Sequence, residues 1–281
     1  MAPTTDERVL IVNADDFGIA EGVNTGIREA HDAGVVTSTS LLANGVAFDH
    51  AVAIANGTDR VLGIGVHLDF VQGRPLTNAR TLVDDRTGHF QSLSALTRRS
   101  LLGRVDPQDV MTEAVAQIER VRRAGLAITH VDSHRHAHLL PGIWGAVVDA
   151  AASQGIRFVR VPVERHSADA YMGATLKMLA LRAAAHAAAE VRSPPRHTDN
   201  FIGLSLQGRH HFATLLLRAL DRLPGGTTEL MVHPGHADAS LSAFDSYRTP
   251  REGELRALLS APVRERLRRG DIRLTHFGTL A

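Results

Sequence analysis

The sequence has no cysteine, which excludes a disulfide framework and a thiolate nucleophile and says nothing about the redox compartment. Aromatic residues are few, with one Trp and two Tyr in 281 residues. No apolar run approaches the ~18 residues of a membrane span, so no integral membrane segment is expected. Charge of either sign is not in excess: the formal net charge is +1, which argues against nucleic acid or an anionic membrane surface as partner. Met1 to Arg8 is short and polar and leads directly into an apolar run. That pattern lacks the regions of a signal peptide, and the expected location is cytoplasmic. What remains is a chain with 44% hydrophobic and 22% charged residues, enough to bury a sizeable core.

Against that background one stretch stands out. Thr129-His130-Val131-Asp132-Ser133-His134-Arg135-His136-Ala137-His138 packs four histidines and an aspartate into ten residues. Imidazole and carboxylate together form the ligand set of Zn²⁺ and related divalent ions. The apolar lead-in Leu126-Ala127-Ile128 reads as a buried strand, and Pro141-Gly142-Ile143 opens the next element, so the cluster falls where a strand hands over to a helix. A tag or metal-buffering tail would sit in low-complexity sequence at a terminus. The spacing leaves open which histidine binds: on a strand 134, 136 and 138 share a face, on a helix only 134 and 138 do.

The remainder alternates strand and helix. Val9–Val12 is a continuous apolar run, the mark of a strand covered on both faces, and it ends in Asn13-Ala14-Asp15-Asp16-Phe17-Gly18. A helix is expected over 21–33, a strand over 35–42, a helix over 48–56 and a strand over 61–66 with His67 at its end. Residues 70–106 break the rhythm with turn signals and read as an excursion. Pro107 opens a helix to Ala124, with Asp106 as N-cap and Gly125 beyond its end. After the histidine strand come a helix over 141–154 and a fifth strand over 156–161, stopped by Pro162.

A second excursion, 163–200, holds an Ala- and Leu-rich helix over about 171–191. Met172, Leu176, Leu179 and Ala183 form its apolar stripe and Arg182, His186 and Glu190 its polar one. It reads as a packed lid or an interface helix, and a homodimer is among the assemblies it would serve. A short strand over 201–206, a helix over 209–222, a strand over 229–232 ending in His233, a helix over 251–269 and a strand over 272–274 complete the chain. This βα alternation implies parallel strands joined by helical crossovers. The expectation is an α/β fold, a distorted (β/α) barrel of about seven parallel strands, formed by one domain over 1–281.

The polar residues at strand ends give this architecture its chemical meaning. Asp15 and Asp16 end the first strand, His67 the third, the 130–138 cluster the fourth, Arg160 the fifth and His233 a late one. In a parallel barrel the strand C-termini open on one face, so these residues converge. Adjacent aspartates on an extended segment point to opposite sides, so one can ligate a metal while the other stays a base. Two histidines and a carboxylate leave coordination positions open, as a catalytic metal requires.

Asn13-Ala14-Asp15-Asp16-Phe17-Gly18, Gly65-Val66-His67-Leu68, the 130–138 cluster and Met231-Val232-His233-Pro234 resemble the YdjC-like carbohydrate deacetylases, from about residue 8 to the C-terminus. The resemblance implies a divalent metal (Zn, Mg, Mn or Co), ligands Asp16, His67 and His134, and Asp15 as general base. The substrate it implies is a small N-acetylated sugar, chito-oligosaccharide or lipid-linked N-acetylglucosamine in type, from which the N-acetyl group is hydrolysed. A looser similarity to the wider polysaccharide deacetylases implies that Arg160, in Arg160-Val161-Pro162, positions the base and that His233 is the acid. Val163 departs from the tyrosine usual in that motif. His130, His136, His138 and His236 remain candidates for supporting or substrate-binding roles. With so few aromatics to stack on sugar, a pocket is expected, not a long polymer groove. Two competing readings are a glycoside hydrolase using carboxylates among Asp15, Asp69 and Asp132, and a non-catalytic metal- or sugar-binding protein.

Overall fold

The structure is a computed structural model and describes residues 7–164, 175, 178, 179, 181–183 and 194–280. The central strand β1 (Arg8–Phe17) is buried from Val9 onward, as its continuous apolar run predicts. Around it a curled, all-parallel seven-stranded sheet runs in the order β4 (Ile128–Ser133), β3 (Gly63–Leu68), β2 (Ser38–Leu41), β1, β6 (Gly226–Val232), β5 (Asn200–Ile202), with β7 (Arg273–Leu274) also paired to β1. Helices α1 (Glu21–Asp32), α2 (Phe48–Asn56), α3 (Leu93–Leu101), α4 (Pro107–Arg123), α5 (Trp144–Ser153), α6 (Phe212–Asp221), α7 (Thr249–Leu259) and α8 (Ala261–Leu267) lie along the chain between and after these strands. This is the distorted (β/α) barrel anticipated.

Several boundaries moved, each for a local reason. Val35 and Val36 are buried but not in β2, because their N–H groups both cap the end of α1 on the Ala30 carbonyl. β3 starts at Gly63, and Val61 is exposed. The fifth strand expected over 156–161 is a set of isolated bridges, Val131 to Val159 and Phe158 to Arg196, with Glu164 to Phe201 beyond them. Its hydrogen bonds are shared between β4 on one side and Arg196 on the other, and Pro162 has no N–H to continue a ladder. The segment therefore spans the gap between β4 and β5. The helix expected over 251–269 is two helices, α7 and α8, parted at the extended Ser260 with Pro262 entering at the start of the second.

The 70–106 excursion is pinned to α4. Glu113, fully buried, accepts hydrogen bonds from Leu76 N, Thr77 N and Thr77 Oγ1, while Asp109 takes Thr81. Most of the helix expected over 171–191 lies outside the described residues; those described within it, 175, 178, 179 and 181–183, are helical. Their buried face differs from the one the stripe implied. Met178 packs with Phe201, Leu204 and Met231, and Leu179 is 58% exposed. No helix among the described residues is long and apolar enough to cross a membrane.

Candidate active site at the C-terminal end of the sheet

The strand ends meet in one cavity of about 400 Å³. Asp15, Asp16, His67, His134 and His233 all line it, drawn from β1, β3, the turn after β4 and the residue after β6. Arg160 is 1% exposed and lies behind the wall, bonded to Asp15.

Two departures from regular backbone create this arrangement. The β1–β2 register slips between Ala14 and Phe17, and Asp16 takes φ +69°. The left-handed turn costs an L-residue energy, least for a short polar side chain such as Asp. It aims Asp15 and Asp16 at different partners. After β4, Arg135 and His136 have φ of +56° and +57°, so the chain is neither strand nor α-helix there. The cluster accordingly follows neither spacing rule: His134 turns onto Asp16, and His136 lines the cavity.

Asp16 Oδ1 lies 2.8 Å from His134 Nδ1 and 3.3 Å from His67 Nε2. One ligand atom from each of the three residues falls within 4.8 Å of the others, and all three are buried. Asp132 Oδ1 sits 2.7 Å from His67 Nδ1. A proton held on that nitrogen leaves the Nε2 lone pair facing Asp16, the arrangement by which carboxylates orient metal-binding imidazoles. The other oxygen of Asp16 is held at 2.5 Å by Arg251 Nη2, which also pairs with Asp245 at 2.6 Å. Burial raises the Asp16 carboxyl, but Arg251 and His134 outweigh it and hold it well below the usual carboxylate range. An ionised carboxylate and two imidazoles suit a divalent cation.

A second cluster, Asp15, His67 and Asp132, is equally compact, but its carboxylates are already served by Arg160. Arg160 Nη1 and Nη2 donate to Asp15 Oδ2 and Oδ1, both at 2.7 Å; Nη2 also lies 2.8 Å from Asp132 Oδ2, and Nε donates to Glu229 Oε1 at 2.8 Å. Three carboxylates thus share one guanidinium. Burial lowers the Arg160 guanidinium, but these partners push it well above its usual value, so it is a permanent cation at the centre of the network.

The remaining histidines separate cleanly. His130 stacks on Phe277 with ring centroids 4.0 Å apart, and His138 lies 2.6 Å from Ser133 Oγ and 3.0 Å from the Arg160 carbonyl. Burial pushes each down to about 4, so both are neutral at neutral pH. His236 does not line the cavity and pairs with Glu29 at 3.0 Å. The lone Trp144 is buried beside His138, which leaves Tyr247 as an aromatic ring on the cavity wall.

The sequence pattern gives no site role to Glu229, Asp245, Tyr247, Arg251 or Glu254, and places Asp132 in the candidate ligand cluster and among the glycosidase carboxylates, not as the partner of His67. Glu229 did carry a signal: an ionisable residue entering the apolar run Leu230-Met231-Val232 is rare unless paired. Burial raises it, Arg160 opposes, and it rests at about 7. Between pH 4.5 and about 7 the folded state therefore keeps a proton on Glu229 that the unfolded chain has released. That contribution to stability is complete below pH 4.5 and is lost as pH rises through 7. Denaturant titrations from pH 4.5 to 7 should show Glu229→Gln gaining on the wild type by up to about 3 kcal/mol; a pH-independent difference would refute the raised pKa.

Comparison with known proteins places this fold and cavity in a family. The family model of YdjC-like proteins matches residues 9–269. The chain belongs to that family. A Mus musculus relative named "Carbohydrate deacetylase" is 37% identical over 244 residues, covering 81% of this chain and 78% of its own. A Vibrio cholerae protein of the same name is 34% identical over 271 residues, covering 96% of both chains. Among solved structures, a proposed cellobiose-phosphate cleavage protein from Enterococcus faecalis superposes with a TM-score of 0.77 at 27% identity, covering 98% of this chain and 99% of that one.

Proposed function

We propose that this protein is a metal-dependent carbohydrate N-deacetylase that hydrolyses the acetamide of a small N-acetylated sugar. The observation that carries the reading is the juxtaposition of a compact Asp16–His67–His134 ligand set with a separate carboxylate, Asp15, clamped by Arg160 on the same cavity wall. The relatives named carbohydrate deacetylases support it. Asp16, His67 and His134 would hold the cation, which when bound supplies Lewis-acid polarisation of the acetamide carbonyl and of water. Zn²⁺, Co²⁺, Mn²⁺ and Mg²⁺ all suit this donor set, in falling order of comfort with imidazole.

The chain's own residues do the rest. Asp15 accepts a proton from the attacking water, and the two-pronged hold of Arg160 keeps its carboxylate in one orientation. His233 Nε2 lies 4.0 Å from Asp15 Oδ2, so an acid and a base face one reacting centre. His233 gives a proton to the departing amine nitrogen, which is too basic to leave without one. The cavity is of a size for a sugar unit and not for an extended polymer.

A glycoside hydrolase would need two available carboxylates beside the bond to be cut. Asp69 instead caps its own loop, accepting from Val71 N and Gln72 N, and Asp132 is engaged by His67, Ser40 and Arg160. The deciding experiment is elemental analysis of the purified protein coupled to an acetate-release screen over N-acetylated mono- and oligosaccharides. Release of acetate that depends on the bound metal supports the reading, and release of reducing sugar alone overturns it.

His233 supplies a sharper check. A fourth protein ligand would close the cation to substrate, so the assigned duty is acid and not coordination. His233→Ala is expected to keep full metal content with KM little changed while kcat falls by roughly 10²–10³. Loss of metal in this variant would make His233 a ligand instead.

A further inference from the structure

Two parts of the cavity wall come from separate segments of the chain. On one side the loop after β5 brings Gln207 and the exposed Gly208 to the rim; on the other, β6 ends at His233. Tyr247, on the segment leading into α7, lies between them. The Gly208 N–H donates to Tyr247 Oη at 2.6 Å, and that hydroxyl donates to Glu254 Oε1 at 2.5 Å. The other oxygen of Glu254 accepts the His233 N–H at 2.6 Å. The Tyr247 ring also meets the His233 ring edge to face, with centroids 5.5 Å apart.

We propose that Tyr247 is a positioning residue whose hydroxyl joins the sugar-binding rim at Gly208 to Glu254 and, through it, to the backbone of His233. Contact with substrate at the rim and placement of the acid are then set by one hydrogen-bonded chain. The inference rests on the assignment of His233 as acid and of this cavity as the sugar site.

Four features support it. A tyrosine hydroxyl has one proton to give and lone pairs to accept, so it can link a donor to an acceptor in series. Burial and the neighbouring Glu254 push the Tyr247 hydroxyl far above its ordinary value, so it stays a donor at any working pH. Glu254 is 2% exposed, so removing the hydroxyl leaves its Oε1 buried without that donor, while the exposed Gly208 N–H turns to water. The backbone of Tyr247 is fixed as well: its carbonyl accepts from Arg251 Nε at 2.8 Å, and its N–H donates to Asp245 Oδ1 at 3.0 Å. Removing the hydroxyl should therefore free the rim and loosen Glu254, which holds the His233 N–H, without displacing the ring.

The test compares kcat and KM for acetate release, metal content and Tm in wild type, His233→Ala, Tyr247→Phe, Glu254→Leu, Glu254→Gln and the Tyr247→Phe/Glu254→Leu double variant. For Tyr247→Phe, metal content should be full, KM should rise severalfold and kcat should fall about tenfold, the size of one lost buried hydrogen bond. Glu254→Leu should lower kcat at least as far, the double variant should be no worse than Glu254→Leu alone, and Glu254→Gln, which keeps an acceptor for His233 N, should recover most of the rate. If His233→Ala loses activity while Tyr247→Phe stays within twofold in both parameters, the link is wrong and the acid assignment stands. A change in Tm with unchanged kcat and KM, or losses that multiply in the double variant, equally overturns the link. If Tyr247→Phe does not fold, the Glu254→Leu and Glu254→Gln pair decides by the same rescue criterion. Unimpaired His233→Ala removes the acid assignment and the link with it, and a wild type that releases no acetate removes the deacetylase reading.

Discussion

Replacing Asp15 by asparagine is expected to leave the protein folded and metal-loaded while kcat falls by roughly 10²–10⁴, the usual size of a lost general base. Asparagine keeps the shape of the carboxylate and one acceptor for Arg160, whose charge is still shared by Asp132 and Glu229. What it lacks is the capacity to take the proton of the attacking water. KM should change little, since the interaction removed is one that strengthens only as the reaction proceeds. Asp16→Asn is the control: it should lose metal, because Asp16 Oδ1 is the atom that faces both imidazoles. Metal retained in Asp16→Asn and lost in Asp15→Asn would reverse the two roles.

The second large effect belongs to the histidines. His67→Ala and His134→Ala should each lose metal and activity together, since a three-ligand site has no ligand to spare. Equilibrium dialysis against Zn²⁺, Co²⁺ or Mn²⁺ checks this directly, and full occupancy in either variant refutes the ligand assignment. Asp132→Asn sits between the extremes. It removes the carboxylate that orients His67, and loss of such a partner costs about 10–100-fold in metal affinity. The same substitution takes one counter-charge from Arg160, but Asp15 remains and Glu229 still accepts from its Nε, so the guanidinium is not left alone in the interior.

Much of the site was legible because a parallel sheet forces it to be. An apolar run followed at once by polar residues marks a strand's C-terminal end, and parallel strands bring those ends together. Asp15, Asp16, His67, the 130–138 cluster, Arg160 and His233 could be gathered to one face on that rule; the structure lines the cavity with Asp15, Asp16, His67, His134, His136 and His233 and sets Arg160 behind them. Glu254 and Arg251 could not. They sit three residues apart on α7, where apolar and charged residues follow no clear periodicity, and each reaches its partner across a long gap in sequence: Arg251 to Asp16, Glu254 to the backbone of His233. Nothing in local spacing marks a helix residue as the support of a strand-end residue.

The sequence by itself determined the strand and helix alternation, the parallel sheet, and which strand ends carry carboxylates and imidazoles, because those follow from hydrophobic periodicity and side-chain type. Tertiary structure decided how that chemistry is divided. The slipped register and positive φ at Asp16 sent the two aspartates to different partners, and the left-handed turn at Arg135 and His136 chose His134 over its neighbours. It also withdrew His130 and His138 into the core and strung Tyr247 between the rim and His233. Backbone irregularities of this kind are held in place by contacts from many elements at once, so no window of sequence contains the forces that set them.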